Sequence, residues 1–223
     1  MKEYANELLK KGVKYAIFDV DNTITKSNIV EFYIYMKSTQ IKNKFMYLLW
    51  LVYFIIFIIP VYLIIDNMNR GLFGRVFSKR LSKFKYVDLE KCAKEFFNSR
   101  LTNKFIKEIH DMVLYFRDNG ISVILLSGTI DSLIKNYAEY FEVPYESIKV
   151  NNNDGYVKVD YSNFDNHKLD FVKKFNPEET VTIADSRHDL EILKYSKYSI
   201  VVANKRIKPW MQQLENAHII QIK

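Results

Sequence analysis

Two aspartates one residue apart follow a short run of strand-forming residues near the start of the chain. The stretch is Tyr15-Ala-Ile-Phe-Asp19-Val-Asp21-Asn-Thr23. It predicts that both carboxylates lie at the carboxyl end of a buried strand, where open α/β sheets bind ligands. Crowded carboxylates repel each other unless a cation, hydrogen bonds or a bound proton relieves the repulsion. The pair therefore indicates a functional site, and the alternative is that one aspartate caps a helix while the other is solvated.

Three later segments also present polar residues at the end of a strand or the start of a helix. In chain order these residues are Ser127 and Gly128, then Lys168, then Asp185 and Asp189. Because the carboxyl ends of parallel strands lie on one edge of a sheet, we expect these side chains to meet the first aspartate pair. An acidic cluster beside a hydroxyl and a lysine suits phosphoryl transfer, since Mg²⁺ prefers carboxylate oxygens plus substrate phosphate. Taken singly, Ser127 could equally cap a helix and Lys168 could be an ordinary surface lysine.

Composition limits the remaining possibilities. The chain has 223 residues, 48% of them apolar, and a single cysteine, Cys92. This predicts one sizeable core, no disulfide framework and a cytosolic setting, and the first residues do not resemble a signal peptide. The net charge of +7 favours anionic partners, but we find no RNA-binding aromatic signature, zinc spacing or basic helix followed by heptads. Nucleic acid is therefore not an expected partner.

The order of predicted elements indicates an α/β core with an insertion. Residues 1–27 and 87–223 alternate apolar strand patterns with helical ones, which predicts a doubly wound, mostly parallel sheet. Residues 28–86 are rich in aromatic residues, poor in glycine and helical in texture, which predicts an inserted helical cap. We also expect a peripheral hairpin with its turn at Asp154-Gly155, and a last strand from Tyr198 to Val202.

Within the insertion, Phe45 to Ile65 is a run of 21 residues without a charge. It is long enough to cross a membrane, but we expect Pro60 to interrupt the helix after about 22 Å, short of a hydrocarbon core about 30 Å thick. Basic residues flank both ends, and a single crossing would separate the strand before Asp19 from the rest of its sheet. We therefore expect a re-entrant hairpin with Pro60 near its turn, or an interfacial segment. The alternative is a helix buried within the cap or a dimer interface.

Together the four motifs resemble those of the haloacid dehalogenase superfamily, and more closely its phosphoserine-phosphatase-like branch. In this chain they are Asp19-Val-Asp21-Asn-Thr23, Leu126-Ser127-Gly128, Lys168 and Asp185-Ser186-Arg-His-Asp189. The resemblance implies a Rossmann-like fold with a substrate-selecting helical cap and a Mg²⁺-dependent phosphatase activity.

The same resemblance implies a role for each motif. Asp19 would attack phosphorus and become an aspartyl phosphate, and Asp21 would protonate the leaving oxygen and then activate water. The implied phosphate-binding residues are Thr23, Ser127, Gly128 and Lys168. The implied metal ligands are Asp19, the backbone carbonyl of Asp21, and Asp185, with Asp189 supporting the metal shell.

The cap sequence bears on the substrate. Phosphoserine phosphatases carry a glutamate at the position of Asn28, where it receives the substrate's amine. Losing that charge-assisted contact costs about 1.5 to 3 kcal/mol, so phosphoserine is not the expected substrate. The apolar segment is similar in character to that of the phosphatidylglycerophosphatase C group, which acts on a lipid phosphate. Three basic residues are then candidates for contact with an anionic headgroup: Arg70, Arg75 and Arg80.

These features predict a phosphomonoesterase at the cytoplasmic face of the cell membrane, acting on a phosphorylated lipid. Two alternatives remain open. One is a soluble phosphatase of a small phosphorylated metabolite, and the other is a catalytically silent membrane-binding or partner-binding protein of the same fold. The oligomeric state stays open.

Overall fold

A six-stranded parallel sheet forms the centre of the computed structural model, which describes residues 2–160, 164, 166–214 and 217–222. In spatial order its strands are β3 (Tyr145–Ile148), β2 (Ser122–Ile130), β1 (Tyr15–Phe18), β6 (Thr180–Ala184), β7 (Tyr198–Asn204) and β8 (Ala217–Ile222). A separate antiparallel hairpin pairs β4 (Val150–Asn153) with β5 (Tyr156–Val159). The order reverses at β1, which pairs with β2 on one side and β6 on the other. Such a reversal is where open α/β sheets form a ligand crevice.

Helices cover both faces of the sheet and make up the insertion after β1. They are α1 (Lys2–Lys10), α2 (Ile29–Gln40), α3 (Lys44–Tyr53), α4 (Ile59–Met68), α5 (Arg70–Leu81), α6 (Tyr86–Phe96), α7 (Lys107–Asp118), α8 (Asp131–Phe141), α9 (His167–Val172), α10 (Leu190–Tyr195) and α11 (Pro209–Gln212). Two π-helical turns (Phe54–Ile58, Phe97–Leu101) and three 3₁₀ turns (Thr102–Lys104, Pro177–Glu179, Arg187–Asp189) complete the order. The predicted fold class, a doubly wound parallel sheet with an inserted helical cap, is confirmed.

The far edge of the sheet differs from the sequence prediction. The strand expected to be last, Tyr198 to Val202, is followed by β8, which pairs with β7 from Ala217 to Ile222. Strand β8 has no long apolar run, because its edge position leaves it only partly covered. The sequence signal for this strand was the alternation of apolar and polar residues near its C-terminal end.

The predicted hairpin is present as a separate two-stranded sheet, and most of its strand residues are exposed. Asp154 and Gly155 both have positive φ, 50° and 84°, as a tight hairpin turn requires. The chain leaving α5 pairs with β5: Val157 N donates to Phe84 O at 3.1 Å, and Tyr86 N donates to Gly155 O at 2.9 Å. The hairpin therefore attaches the end of the cap to the core.

The apolar segment forms one continuous helix, Lys44–Met68, which we call the apolar helix. Its 25 residues span about 37 Å at 1.5 Å per residue. The expected hairpin with Pro60 near its turn is therefore wrong. The π-helical turn Phe54–Ile58 ends two residues before Pro60. Such a wide turn accommodates a proline by relaxing the hydrogen-bond ladder around it.

The apolar helix is attached to the cap along one side only. Its Phe54 ring lies 5.4 Å from Tyr33 of α2, and its Tyr62 ring lies 5.6 Å from Phe77 of α5. Only 11% of its most apolar stretch is buried. By length and composition alone this helix could cross a membrane. The alternative of a helix buried on all sides within this chain is wrong.

Candidate active site

Asp19 lies at the tip of β1 with both carboxylate oxygens in hydrogen bonds. Its backbone N–H donates to Ile183 O of β6 at 2.9 Å, which fixes it to the sheet. Lys168 Nζ donates to Asp19 Oδ1 at 2.6 Å and to Asp189 Oδ1 at 2.7 Å. Thr23 Oγ1 donates to Asp19 Oδ2 at 2.7 Å. Residues from three separate parts of the chain, Thr23, Lys168 and the end of β6, therefore converge on one buried carboxylate, as the spacing of their motifs predicts.

A tight turn after β1 returns Thr23 to Asp19. Asn22 has φ = 58°, a left-handed conformation that asparagine tolerates better than most residues. Ile24 N donates to Val20 O at 2.9 Å, and Asn204 Nδ2 of β7 donates to Asn22 O at 3.0 Å. These two hydrogen bonds hold the turn around Asn22, and the turn keeps the Thr23 hydroxyl in contact with the Asp19 carboxylate.

Asp21 faces the end of β2. Thr129 Oγ1 donates to Asp21 Oδ2 at 2.8 Å, and Thr129 N donates to Ser127 Oγ at 3.0 Å. Burial, followed by the charge of Asp19, raises the pKa of Asp21 to about 6. Thr129 was not among the predicted site residues, although it completes the Ser-Gly-Thr end of the strand. Thr129 thus holds one carboxylate oxygen of Asp21, a residue that also lines the cleft described below.

The second acidic pair follows β6. Asp185 Oδ1 accepts a hydrogen bond from Thr23 Oγ1 at 3.3 Å, and Asp189 is buried against Lys168. Burial, with the charges of Asp19 and Asp189, raises the pKa of Asp185 to about 8. Burial would lower the pKa of Lys168, but Asp189 and Asp19 together raise it. One lysine thus faces three carboxyl groups, which leaves an excess of acidic oxygen at the end of the sheet.

The donor set fits a small divalent cation. Asp19 and Asp185 each place an oxygen within 3.3 Å of the same Thr23 hydroxyl. Among the described residues no three His, Cys, Asp or Glu side chains converge as a ready ligand set. Mg²⁺ does not require one, since it is usually bound by one or two carboxylates and fills its shell with water and substrate phosphate. Burial is the main cause of the raised pKa of Asp185, and the charges of Asp19 and Asp189 add to it; a bound cation would relieve that carboxylate repulsion.

A cleft of about 280 Å³ separates these residues from the cap. Of the four predicted cap residues, Asn28 and Arg70 line it. The Asn28 side chain accepts hydrogen bonds from two backbone N–H groups in the first turn of α2. Arg75 and Arg80 do not line the cleft. Arg80 instead donates to Tyr62 Oη and lies over its ring, so aromatic packing inside the cap draws it away from the site.

The apolar helix contributes cleft residues that the sequence interpretation missed: Ile59, Tyr62, Leu63 and Asp66. Asp66 Oδ1 accepts from Arg70 Nη1 at 2.6 Å, and Asp66 Oδ2 lies 4.0 Å from His188 Nε2 of the core. Burial and the nearby Arg70 charge lower the pKa of His188. The available signal was helical spacing, because these four residues recur at intervals that share one helix face.

Solved structures share this architecture. A protein of unknown function from Bordetella pertussis Tohama I superimposes with a TM-score of 0.72 at 13% identity, covering 93% of this chain and 98% of that one. A phosphoserine phosphatase captured as a phospho-aspartyl intermediate analogue has a TM-score of 0.61 at 16% identity, covering 93% of each chain. A phosphoserine phosphohydrolase-like protein from Francisella tularensis has a TM-score of 0.61 at 21% identity, covering 92% of this chain and 95% of that one.

Sequence comparison gives the family. No curated protein sequence matches the chain significantly. The family model for haloacid dehalogenase-like hydrolases matches residues 16–194, a span that holds all four motifs and most of the chain. The protein therefore belongs to the haloacid dehalogenase-like hydrolase family.

Proposed function

We propose that this hydrolase is a Mg²⁺-dependent phosphomonoesterase that forms an aspartyl phosphate on Asp19. Its proposed substrate is an amphiphilic phosphate ester at the cytoplasmic face of the cell membrane, such as a phosphatidylglycerophosphate-like lipid. The observation that carries the chemistry is the contact of Lys168 with both Asp19 and Asp189. This contact joins three of the four motifs around one carboxylate that is fixed at the end of a strand.

In the first step a carboxylate oxygen of Asp19 attacks phosphorus, and the bond from phosphorus to the ester oxygen breaks. Lys168 and Thr23 orient the two carboxylate oxygens of Asp19. The departing alkoxide takes a proton from Asp21. The pKa of Asp21, raised to about 6, keeps that proton available closer to neutral pH than an ordinary aspartate would.

In the second step water attacks phosphorus, and the bond between phosphorus and Asp19 breaks. The ionised Asp21 accepts the proton of the attacking water, so each residue returns to its starting state. Thr129 holds Asp21 during both steps, because its hydroxyl bonds one carboxylate oxygen and leaves the other free to face the substrate.

The remaining motif residues would bind the phosphoryl group and the metal. Lys168, Ser127, Thr23 and Gly128 are the proposed phosphate contacts. Asp19, Asp185 and the Asp21 backbone carbonyl would hold Mg²⁺, with Asp189 in support. The chemistry that bound Mg²⁺ supplies is neutralisation of charge on the transferring phosphoryl group.

A lipid surface is the proposed occupant of the exposed side of the apolar helix. Large apolar side chains cover that side, including Phe45, Leu48, Leu49, Val52, Ile56, Phe57 and Ile64. Exposed apolar surfaces of this size mark interaction sites. Basic residues at both ends, among them Lys42, Lys44 and Lys79, suit the anionic headgroups of a cytoplasmic leaflet.

The path of the chain favours a helix that lies along the membrane rather than across it. Strand β1 precedes the apolar helix and its partner β2 follows it in the same sheet. We assign residues 1–27 and 87–223 to the core and 28–86 to the cap, with both ends of the apolar helix held on one side of the bilayer.

The size of the cleft supports a second candidate, a soluble phosphatase of a small metabolite. A volume of about 280 Å³ is just below the usual range for ligand sites, about 300 to 1,000 Å³. A small ester would fit without any lipid, and the apolar helix would then lie in an interface between two copies. A detergent-independent dimer by light scattering would favour this candidate.

Cell fractionation without detergent, followed by phosphate release from lipid and water-soluble phosphate esters, tests the proposal. We expect the protein in the membrane fraction and faster release from phospholipid monoesters in vesicles. A fully soluble protein with no preference for lipid esters would reject the membrane part. A Mg²⁺-dependent turnover that disappears in Asp19→Asn would exclude a catalytically silent protein.

A further inference from the structure

One face of the apolar helix is also a wall of the catalytic cleft. Ile59, Tyr62, Leu63 and Asp66 line the same cleft as Asp19 and Lys168. Their spacing of three, four and seven residues places them on a single face of a helix. The helix therefore contacts whatever occupies the cleft as well as whatever covers its outer side.

The cleft wall is polar at one end and apolar at the other. Asp66 lies at the polar end, where it pairs with Arg70 and approaches His188 beside the acidic cluster. Ile59 lies seven residues earlier on the same face, about 10 Å along the helix axis. A molecule that extends from the catalytic edge along this wall thus passes from charged side chains to hydrocarbon.

Leu63 belongs to both surfaces. It lines the cleft, yet 63% of it is exposed. Its neighbour Ile64 is 61% exposed and does not line the cleft. Since the cleft holds only about 280 Å³, we expect a long substrate chain to extend beyond it. Leu63 joins the cleft wall to the exposed apolar side of the helix.

We infer that Ile59 and Leu63 are specificity-determining residues that hold the first part of a substrate hydrocarbon chain. That the substrate carries a phosphate group rests on the proposed function. Its hydrocarbon begins close to the phosphate, follows the wall from Asp66 towards Ile59, and leaves along the apolar helix. The site therefore prefers phosphomonoesters with an apolar chain over equally small polar ones, even where no membrane is present.

A series of alkyl phosphates from ethyl to octyl, each below its micelle concentration and without vesicles, tests this inference. Burial of a methylene contributes up to about fourfold in affinity, and less on an open wall. We expect kcat/KM to rise about tenfold or more from ethyl to octyl phosphate, because several methylenes gain contact with the wall. Membrane docking cannot contribute to this rise, since the assay holds no lipid surface.

Matched glutamine variants test whether the dependence of kcat/KM on chain length arises at Leu63. Leu63→Gln and Ile64→Gln make the same kind of change at adjacent, equally exposed helix positions. We expect the octyl-to-ethyl ratio of kcat/KM to fall at least about threefold in Leu63→Gln and to stay unchanged in Ile64→Gln. Equal ratios for all chain lengths, or equal losses in the two variants, would overturn the inference while leaving phosphatase activity intact.

Binding gives a readout that does not depend on turnover. Calorimetry of the same alkyl phosphates with the Asp19→Asn protein should show affinity that rises with chain length, and Leu63→Gln in that background should flatten the rise. If the unaltered protein hydrolyses no ester but affinity still rises with chain length, the proposed function is rejected and the inference about the apolar wall is supported. If esters are hydrolysed and affinity is flat, the reverse holds.

Discussion

The proposed catalytic edge is the edge of the sheet where Asp19, Asp189 and Lys168 meet. It buries charged groups, whereas the outer side of the apolar helix exposes apolar ones. At the edge, Asp19 and Asp189 are buried carboxylates, and both pair with the partly buried Lys168. On the helix, side chains such as Phe57 are hydrocarbon left in water, 60% exposed in that case. Burying a charge costs free energy unless the charge is paired. Exposed hydrocarbon contributes favourable free energy only when a partner or a membrane covers it. The first region is largely complete within the chain, and the second points to a partner outside it.

Asp19→Asn should produce the largest effect, because it removes the proposed nucleophile and leaves the apolar helix unchanged. We expect phosphate release to fall about a thousandfold or more. Vesicle binding, measured by co-sedimentation, should be unchanged. Asp118→Asn, at an exposed site on α7, is the matched control and should retain activity. Loss of vesicle binding in Asp19→Asn would show that the two regions are not separable.

Removal of divalent metal should have the second-largest effect on phosphate release. A cation in an acidic site contributes several kcal/mol, so chelation should lower the rate at least about a hundredfold, and added Mg²⁺ should restore it. Mg²⁺ should also raise the melting temperature, since it binds the folded state and relieves the repulsion between Asp19 and Asp185. Asp185→Asn should require more Mg²⁺ for the same rate. A chelated protein with full activity would contradict the proposed metal site.

Phe57→Glu should affect the apolar helix alone. A buried phenylalanine contributes about 1.5 to 3 kcal/mol, so losing its insertion should weaken binding to anionic phospholipid vesicles about tenfold or more. The ratio of lipid to water-soluble ester hydrolysis should fall with it. Val87→Glu makes a similar change at an apolar position on α6 that is 72% exposed and lies outside the apolar helix. Equal weakening by the two variants would indicate a general charge effect.

Arg70→Gln should produce the smallest effect, at the boundary between the two regions. Arg70 lines the cleft with a side chain that is 43% exposed and paired with Asp66. Contacts of partly exposed charges contribute up to about 1 kcal/mol, so KM for an anionic headgroup should rise about three- to fivefold with little change in kcat. Arg75→Gln on the same helix should leave KM unchanged. A similar rise in both variants would mean that net charge, not the cleft contact, matters.

The catalytic edge was predictable because its signals are local. Asp19, Ser127 and Asp185 each follow a strand pattern, and parallel strands bring such ends to one edge whatever the rest of the chain does. The sequence motif also pointed to Lys168, which is otherwise an unremarkable lysine at the start of a helix. The expected fold followed from the same alternation of strands and helices.

Elements that depend on tertiary contacts were not predictable in this way. Pro60 does not break its helix, because packing against Tyr33 and Phe77 holds both halves in line. Arg80 is drawn to Tyr62 by aromatic neighbours that are distant in sequence. Asp66 lies in the cleft only because the apolar helix forms part of the cleft wall. Each case depends on which residues meet in space, which a single sequence does not state.

The π-helical turn Phe54–Ile58 sets the rotational phase of the apolar helix. Phe54 and Tyr62 are eight residues apart, which in a regular α-helix would turn them about 80° away from each other. A π-helical turn absorbs one extra residue, which reduces that angle to about 20°. Both rings accordingly lie under the same Arg80 guanidinium, 5.7 and 5.3 Å from it. The wide turn thus aligns the half of the helix that holds the cap with the half that lines the cleft.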